Sequence, residues 1–288
     1  MKAPAFDYVR AASLAQVFEL LKTHGDGARV LAGGQTLIAT LNMRLSEPAL
    51  LVDITGLEAL RGIALSGQHL RIGALSTHSE IEASALVARH VPLMAQAVTH
   101  IAHRAIRNLG TLGGSLAHAD PAAEWPACML ALDAQVLLAG AAGERRVPAR
   151  EFFTGLYSTA RAEGELIVAC EVPVLAADER QVFDELARRQ GDYAIAGLAA
   201  RCRVRAGVVH ELRLAFLSLE DRPVRALRTE AALQGRAIDE PTLALALQTL
   251  RAELHPAADL TNGAETKQHL AGVLLQRALR RLVAKDSQ

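Results

Sequence analysis

The stretch Ile106-Arg-Asn-Leu-Gly-Thr-Leu-Gly-Gly-Ser-Leu-Ala-His-Ala-Asp-Pro-Ala-Ala-Glu124 decides how the chain is read. Gly110, Gly113 and Gly114 fall within five positions. Glycine carries no Cβ and reaches positive φ without steric cost, so successive N–H groups can converge on one anion. Thr111 and Ser115 add hydroxyl donors at the edge of that concavity. Asp120 followed by Pro121 has the pattern of an N-cap and a first-turn proline, which predicts a helix over residues 122–133. The stretch reads as a phosphate loop that runs into a helix.

A second stretch has the same construction. Ala28-Arg-Val-Leu-Ala32 is a short apolar run of strand type, Gly33-Gly34 break it, and Gln35-Thr36 precede a helical pattern over residues 37–45. One glycine pair after a strand is an ordinary turn; two such loops, each followed by hydroxyl or amide side chains, point to a diphosphate. A charge-assisted bond from a backbone N–H contributes about 1.5–3 kcal/mol, so four or five suffice without a lysine. Neither loop contains one. G-x-G-x-x-G and G-x-x-x-x-G-K-[ST] are both absent, which excludes the doubly wound dinucleotide fingerprint and the nucleotide-triphosphate loop as explanations of the glycines.

The 288 residues suffice for two domains with their own cores, and 51% hydrophobic with 22% charged residues is an ordinary globular balance. Thirty-one basic and 31 acidic residues cancel, which removes the electrostatic argument for nucleic acid or an anionic membrane surface. Asp7, Arg10 and Glu19 interrupt any apolar core near the N-terminus, and Asp133 and Gln135 break the apolar run before Gly140. Neither a secretory signal nor membrane insertion is expected, and the expected compartment is the cytoplasm. Cys128, Cys170 and Cys202 are too few and too dispersed for an iron–sulfur cluster or structural zinc, and read as small buried residues.

In chain order, Ser13-Leu-Ala-Gln16 is a capping box ahead of an apolar helix face that ends at His24-Gly25. With the first glycine loop and the strand Leu50-Leu-Val-Asp-Ile54 it makes a small α/β subdomain over residues 1–56. Residues 57–176 read as a strand-rich subdomain, with a half-buried strand over 69–75, a mostly helical region over 81–102 broken at Pro92, and strands near 134–139 and 166–172. Ala176-Ala-Asp-Glu-Arg180 is the expected boundary to a C-terminal domain, 177–288, with a hairpin over 198–219 and three helical segments.

Other chemistry is thin. His100 and His103, one helical turn apart, sit beside Arg104 and Arg107, which would repel a cation; a solvated or interface face is the better reading. His118-Ala-Asp120 lacks a nucleophile to serve and reads as an N-cap with a polar neighbour. Tyr193 follows a glycine turn among small residues and fits two roles equally, a ring against a flat ligand or a core ring with its hydroxyl satisfied.

Together these residues resemble the FAD-binding medium subunit of the molybdenum hydroxylases, the family of carbon monoxide dehydrogenase and xanthine dehydrogenase. The resemblance runs from Phe6-Asp7-Tyr8 to the C-terminal helix. It rests on Leu31-Ala-Gly-Gly-Gln-Thr-Leu37, Leu51-Val-Asp-Ile54, Ile106-Arg-Asn108, Gly110-Thr-Leu-Gly-Gly-Ser115, Ala119-Asp-Pro-Ala-Ala-Glu124 and Gly191-Asp-Tyr-Ala194. It implies an α+β chain: a two-subdomain FAD-binding fold of the vanillyl-alcohol-oxidase (PCMH) type, then an α+β domain of the CO dehydrogenase flavoprotein type. Carried over residue by residue, Ala32, Gly33, Gly34, Gln35 and Thr36, flanked by Leu31 and Leu37, would hold the diphosphate together with Thr111, Leu112, Gly113, Gly114 and Ser115. Asp120 and Glu124 would also meet the cofactor, Glu124 on the ribose side; Ile101 and Ile167 would line the flavin or adenine pocket, and Tyr193 would lie against the isoalloxazine. Gln35 stands where His or Ser is common, and Asp184-Glu185 stand near where many relatives carry a lysine, which puts electrostatic control of the flavin from there in doubt.

The resemblance further implies an electron-transfer subunit of a heteromeric oxidoreductase, with no catalytic acid–base residue and no metal of its own. A large molybdopterin-binding subunit would oxidise the substrate and a small subunit would carry two [2Fe–2S] clusters, in a dimer of heterotrimers. A self-contained flavin reductase of the peptidoglycan-precursor type shares the architecture, but the last third lacks an obvious catalytic acid or anionic-substrate patch. A scaffold that has lost the cofactor is the remaining reading.

Overall fold

The computed structural model describes residues 2–284. At the N-terminus the Ser13 side chain accepts from the Gln16 amide and starts the helix Leu14–His24, which buries Val17 and Leu21 and ends at Gly25, φ 47°. Strands Asp7–Arg10, Leu50–Asp53 and Ala28–Leu31 form a parallel sheet in that spatial order, with the fully buried Leu50–Asp53 in the centre. The carboxyl end of Ala28–Leu31 opens directly into residues 33–36, and the carboxyl ends of parallel strands are where α/β sheets receive ligands.

The second unit is a five-stranded antiparallel sheet, Ile63–Ser66, His69–Gly73, Leu166–Pro173, Gln135–Gly140 and Gly143–Pro148 in spatial order. Leu137, Ala139, Leu166 and Val168 leave one face of it and share a core with Val52 and Ile54 of the first sheet. Alternation sends Val136, Leu138 and Ile167, and beyond the register shift between Ile167 and Ala169 also Cys170, into a second core around Trp125 and Met129. The site below lies along this join.

In the C-terminal unit, Glu179–Ala187, Ala194–Arg205, Val208–Leu217 and Val224–Arg225 form an antiparallel sheet. Leu198, Ala200, Leu214 and Phe216 face the helices Glu240–Glu253 and Ala264–Val283, whereas Phe183, Ala199, Ala215 and Leu217 face the helix Glu124–Ala131 of the preceding unit. Both faces are therefore buried. All three cysteines are buried and free, as their spacing suggested. No described helix is long and apolar enough to cross a membrane.

Several local expectations need correction. Gly113 and Gly114 do not lie in an open loop: they belong to the helix Leu112–His118, capped by the Thr111 side chain. The following helix starts at Glu124 rather than 122 and ends at Ala131, because Asp120 forms a turn, its carboxylate accepting from the Ala122 amide at 2.9 Å and its carbonyl from Ala123. The expected break at Pro92 is present: the helix Ala85–His90 ends at Val91, and Pro92 begins the next, Pro92–Ala97, where its missing N–H costs nothing. The first-loop helix is also shorter than the pattern suggested, Leu37–Asn42.

Candidate cofactor site

A single cavity of about 900 Å³ runs along the join, near the top of the 300–1,000 Å³ range usual for small-molecule sites. Every residue predicted for the site borders it except Leu31 and Leu112. Leu112 is wholly buried in the core, and the Leu31 side chain packs beneath Gly34. The two glycine loops meet. A Cβ placed on Gly33 would stand 2.0 Å from the Leu109 carbonyl oxygen and 2.9 Å from the Gly110 Cα, so only glycine lets these backbones touch. Behind them, Gly113 presses on Ala74 and Gly110 on the His78 ring, where a Cβ would come within 2.6 and 2.8 Å.

The loops contribute different donors. In the first, no hydrogen bond among the described residues uses the backbone N–H groups of Gly33, Gly34, Gln35 or Thr36. Gln35 Nε2 donates to the Gly33 carbonyl at 2.9 Å, and Gly34 adopts φ 71°. In the second, Gly113 N–H donates to Ala74 O at 2.8 Å, Gly114 N–H to Thr111 Oγ1 at 3.1 Å and Ser115 N–H to Thr111 O at 3.0 Å. Those amides are already engaged. Among the described residues, main-chain amides without a partner are thus found at residues 33–36, whereas those of Gly113, Gly114 and Ser115 are engaged and the second element presents the side-chain hydroxyls of Thr111 and Ser115.

The walls are apolar: Ile101 and Ile167 are buried at the border of the cavity. Arg107 fixes the turn that carries Ile101, donating to the Ile101 carbonyl at 3.0 Å while its Nε pairs with Glu82 at 3.0 Å. Gly191, φ 75°, lies against the Ala102 carbonyl and so brings the C-terminal unit's Tyr193 to the cavity. Tyr193 is 72% exposed, which resolves its two readings: the ring belongs to the cavity mouth, not the core.

His78 escaped the sequence reading, although it borders the cavity. Its Nδ1 accepts from Trp125 Nε1 at 3.0 Å, and burial, with Arg107 nearby, lowers its pKa to about 4. It is a neutral buttress beneath Gly110. Only the isolated pair Thr77-His78 ahead of a helix could have signalled it. His100 and His103 do not share a helix, since Pro92–Ala97 ends before them and Arg104–Arg107 begins after. His100 Nδ1 instead lies 3.3 Å from the buried Glu185 carboxylate, and no described group of residues suits a metal ion. His118 stacks on Tyr157 with ring centroids 4.9 Å apart. Asp184 turns away to Arg277 and Arg281, each at 3.9 Å.

Glu124 is half-buried by surface, but its carboxyl sits deep in the cleft. Burial, with Glu185 and Asp120 nearby, raises its pKa to about 8. The folded chain thus keeps a proton that the unfolded chain releases near 4.5, and stability from this group falls as the pH rises from about 4.5 towards 8. In urea unfolding of the cofactor-free chain, Glu124→Gln should flatten that part of the pH dependence. Parallel curves for variant and wild type would exclude a protonated Glu124.

Residues 4–175 match the family described as the FAD binding domain in molybdopterin dehydrogenase, and residues 181–282 match the CO dehydrogenase flavoprotein C-terminal domain. The chain belongs to the FAD-binding medium subunits of the molybdenum hydroxylases. This flavoprotein subunit is 38% identical over 97% of its length, and 95% of the relative's, to 6-hydroxypseudooxynicotine dehydrogenase complex subunit alpha of Paenarthrobacter nicotinovorans. It is 34% identical to the carbon monoxide dehydrogenase medium chain of Hydrogenophaga pseudoflava, covering 97% of each. Its fold superposes with a TM-score of 0.95 and 36% identity on a chain of carbon monoxide dehydrogenase from that organism, in a form lacking the Mo-pyranopterin moiety, covering 98% of each chain. The two-domain FAD-binding fold read from the sequence is the fold of the flavoprotein subunit. FAD suits the residues present: four unengaged amides for a diphosphate, apolar residues for flat rings, and one cavity of about 900 Å³ bordered by both.

Proposed function

We propose that this flavoprotein subunit binds FAD across the join, with the diphosphate on the amides of residues 33–36 and the hydroxyls of Thr111 and Ser115, and the isoalloxazine at the Tyr193 end. The abutment of Gly33 on Leu109 and Gly110, which brings both glycine elements to one cavity, carries this reading. Flavin, when bound, supplies an exchange of one or two electrons. The chain's own residues bind and orient it: the amides fix the diphosphate, Ile101 and Ile167 exclude water from one ring face, and Asp120 and Glu124 meet the sugar hydroxyls. No residue is assigned as a catalytic acid or base.

The wider reading is a cytoplasmic electron-transfer subunit that takes electrons from the [2Fe–2S] clusters of a small partner and passes them to an external acceptor. A large molybdopterin-binding subunit completes the assembly, in a dimer of heterotrimers, and selects the substrate. Residues 1–176 form the FAD-binding region and 177–288 the C-terminal domain. The C-terminal match to a flavoprotein domain gives no support to a self-contained reductase. Incubating the purified chain with excess FAD and desalting it tests the core of the proposal: an equimolar yellow complex is expected, and a colourless protein rejects it. Iron and molybdenum co-purifying with the chain from its native host test the assembly, and their absence rejects it.

A further inference from the structure

We infer that Arg29 and Arg161 clamp the adenine of the bound dinucleotide, an assignment that rests on the FAD reading above. Both border the cavity, close enough that the Arg29 charge acts on Arg161. Arg29 stands on the strand Ala28–Leu31, four residues before Gly33, or about 13 Å back along an extended chain, which is the direction a ribose and purine would take from the diphosphate. Arg161 stands on the segment leading into Leu166–Pro173.

Neither guanidinium is spent on an ion pair. No described carboxylate lies within 4 Å of either: Arg29 Nη1 donates to the carbonyls of Asp26 and Ala28, each at 3.0 Å, and Arg161 Nη1 to the Glu165 carbonyl at 2.9 Å. The Glu165 carboxylate itself is taken by Arg145, at 2.6 and 2.7 Å. Two cations that repel each other thus border the cavity, held by carbonyls and not by carboxylates. The group that suits them is electron-rich and flat. Asp26 and Glu163 border the same cavity, and Glu163 Oε1 lies within 3.3 Å of where a Gly25 Cβ would be, against the end of the first helix. These carboxylates would repel a free phosphate but can accept from an exocyclic amine. Adenine presents both features, a π face for the guanidinium planes and an amine edge for the carboxylates.

Titrating the flavin-free full chain with FAD and with FMN, which lacks the adenosine half, separates this assignment from the reading beneath it. The double variant Arg29→Gln/Arg161→Gln is expected to weaken FAD binding about tenfold or more and leave FMN binding within about twofold. Equal losses for both flavins would place the arginines on phosphate and overturn the assignment, as would no loss for either. Arg161→Lys keeps the charge and removes the plane, so it should lose as much FAD affinity as Arg161→Gln; full rescue by lysine overturns the stacking role. A wild-type chain that binds neither flavin would reject the FAD reading itself. Both arginines are exposed, so an unchanged melting temperature is expected and guards against misfolding.

Discussion

Gly33→Ala is expected to lower FAD affinity by about two orders of magnitude while leaving the chain folded, because displacements on the 1 Å scale at a positioned site cost about a hundredfold. The new methyl would fall 2.0 Å from the Leu109 carbonyl oxygen and 2.7 Å from its carbon. Both are backbone atoms, so no rotamer change relieves the clash and the two loops must separate. The unengaged amides of residues 33–36 and the hydroxyls of Thr111 and Ser115 would then no longer address the same point. Gly34→Ala is the informative comparison. There the methyl meets mobile ends of Ile38 and Leu31 at 3.1 and 3.2 Å, and the cost is mainly that of a φ of 71° in an L-residue, about 1–2 kcal/mol. Its FAD affinity should fall by a smaller factor. Gly62→Ala, with φ 95° and open space around it, should lower the melting temperature without altering flavin affinity. Fluorescence-quenching titrations of the three variants decide the matter; near-wild-type affinity for Gly33→Ala would mean that the loops need not touch to hold the cofactor.

The first loop was legible because every local signal agreed: a strand-type run, a glycine pair with one residue at positive φ, and a polar pair ahead of a helix. The second was legible in where it lies, at the cavity, but not in how it is built. Two consecutive glycines disfavour a helix by about 1 kcal/mol each, so local propensity argues for a loop. Tertiary contact decides otherwise, since Gly113 has to approach Ala74 more closely than any Cβ permits, and the Thr111 cap secures the turn. Its amides are engaged within the fold for the same reason. Asp120-Pro121 misled in a related way: an Asx-type turn and an N-cap use the same carboxylate bond two or three residues on, and only the chain beyond distinguishes them.

The C-terminal hairpin was found, with its first strand begun four residues late, but the strands Glu179–Ala187 and Val224–Arg225 were missed. Residues 194–200 of Ala194–Arg205 are buried on both faces and read as an unbroken run of small and apolar residues; only from Arg201 onward does the alternation of a half-exposed strand begin. Arg29, Arg161 and His78 lay beyond the sequence altogether. An isolated basic residue on a strand or in a loop carries no sign of what it faces, and only the packing of the first helix against the 161–165 segment brings two such arginines to one cavity.

The second large effect is expected at Asp133, whose removal should destabilise the chain by about 2–3 kcal/mol, between the 0–1 of exposed pairs and the 3–5 of buried ones. Asp133 follows the helix Glu124–Ala131 in the FAD-binding region, yet its partners all come from the C-terminal sheet: Arg201 Nη2 at 2.6 Å, Arg213 Nε at 2.9 Å and Arg225 Nη1 at 3.2 Å. Arg201 and Arg225 have second carboxylates in Glu179 and Glu230, whereas Arg213 would keep only the Leu212 carbonyl. The carboxylate is one-third exposed, which sets the estimate below that for a fully buried pair. Asp133→Asn suits the test, since asparagine tolerates the φ of 50° and retains the shape while deleting the charge. Burial alone would raise the Asp133 pKa, but the three guanidiniums overcome it and hold it below the ordinary 3.8. The stabilisation is therefore present above that value and lost as the pH falls through the lowered one. Adding Arg213→Met should return part of the loss, because it removes the cation left without a carboxylate. A urea midpoint for Asp133→Asn equal to wild type at neutral pH would show that apolar packing of the sheet on the helix Glu124–Ala131 suffices to join the two parts of the cofactor site.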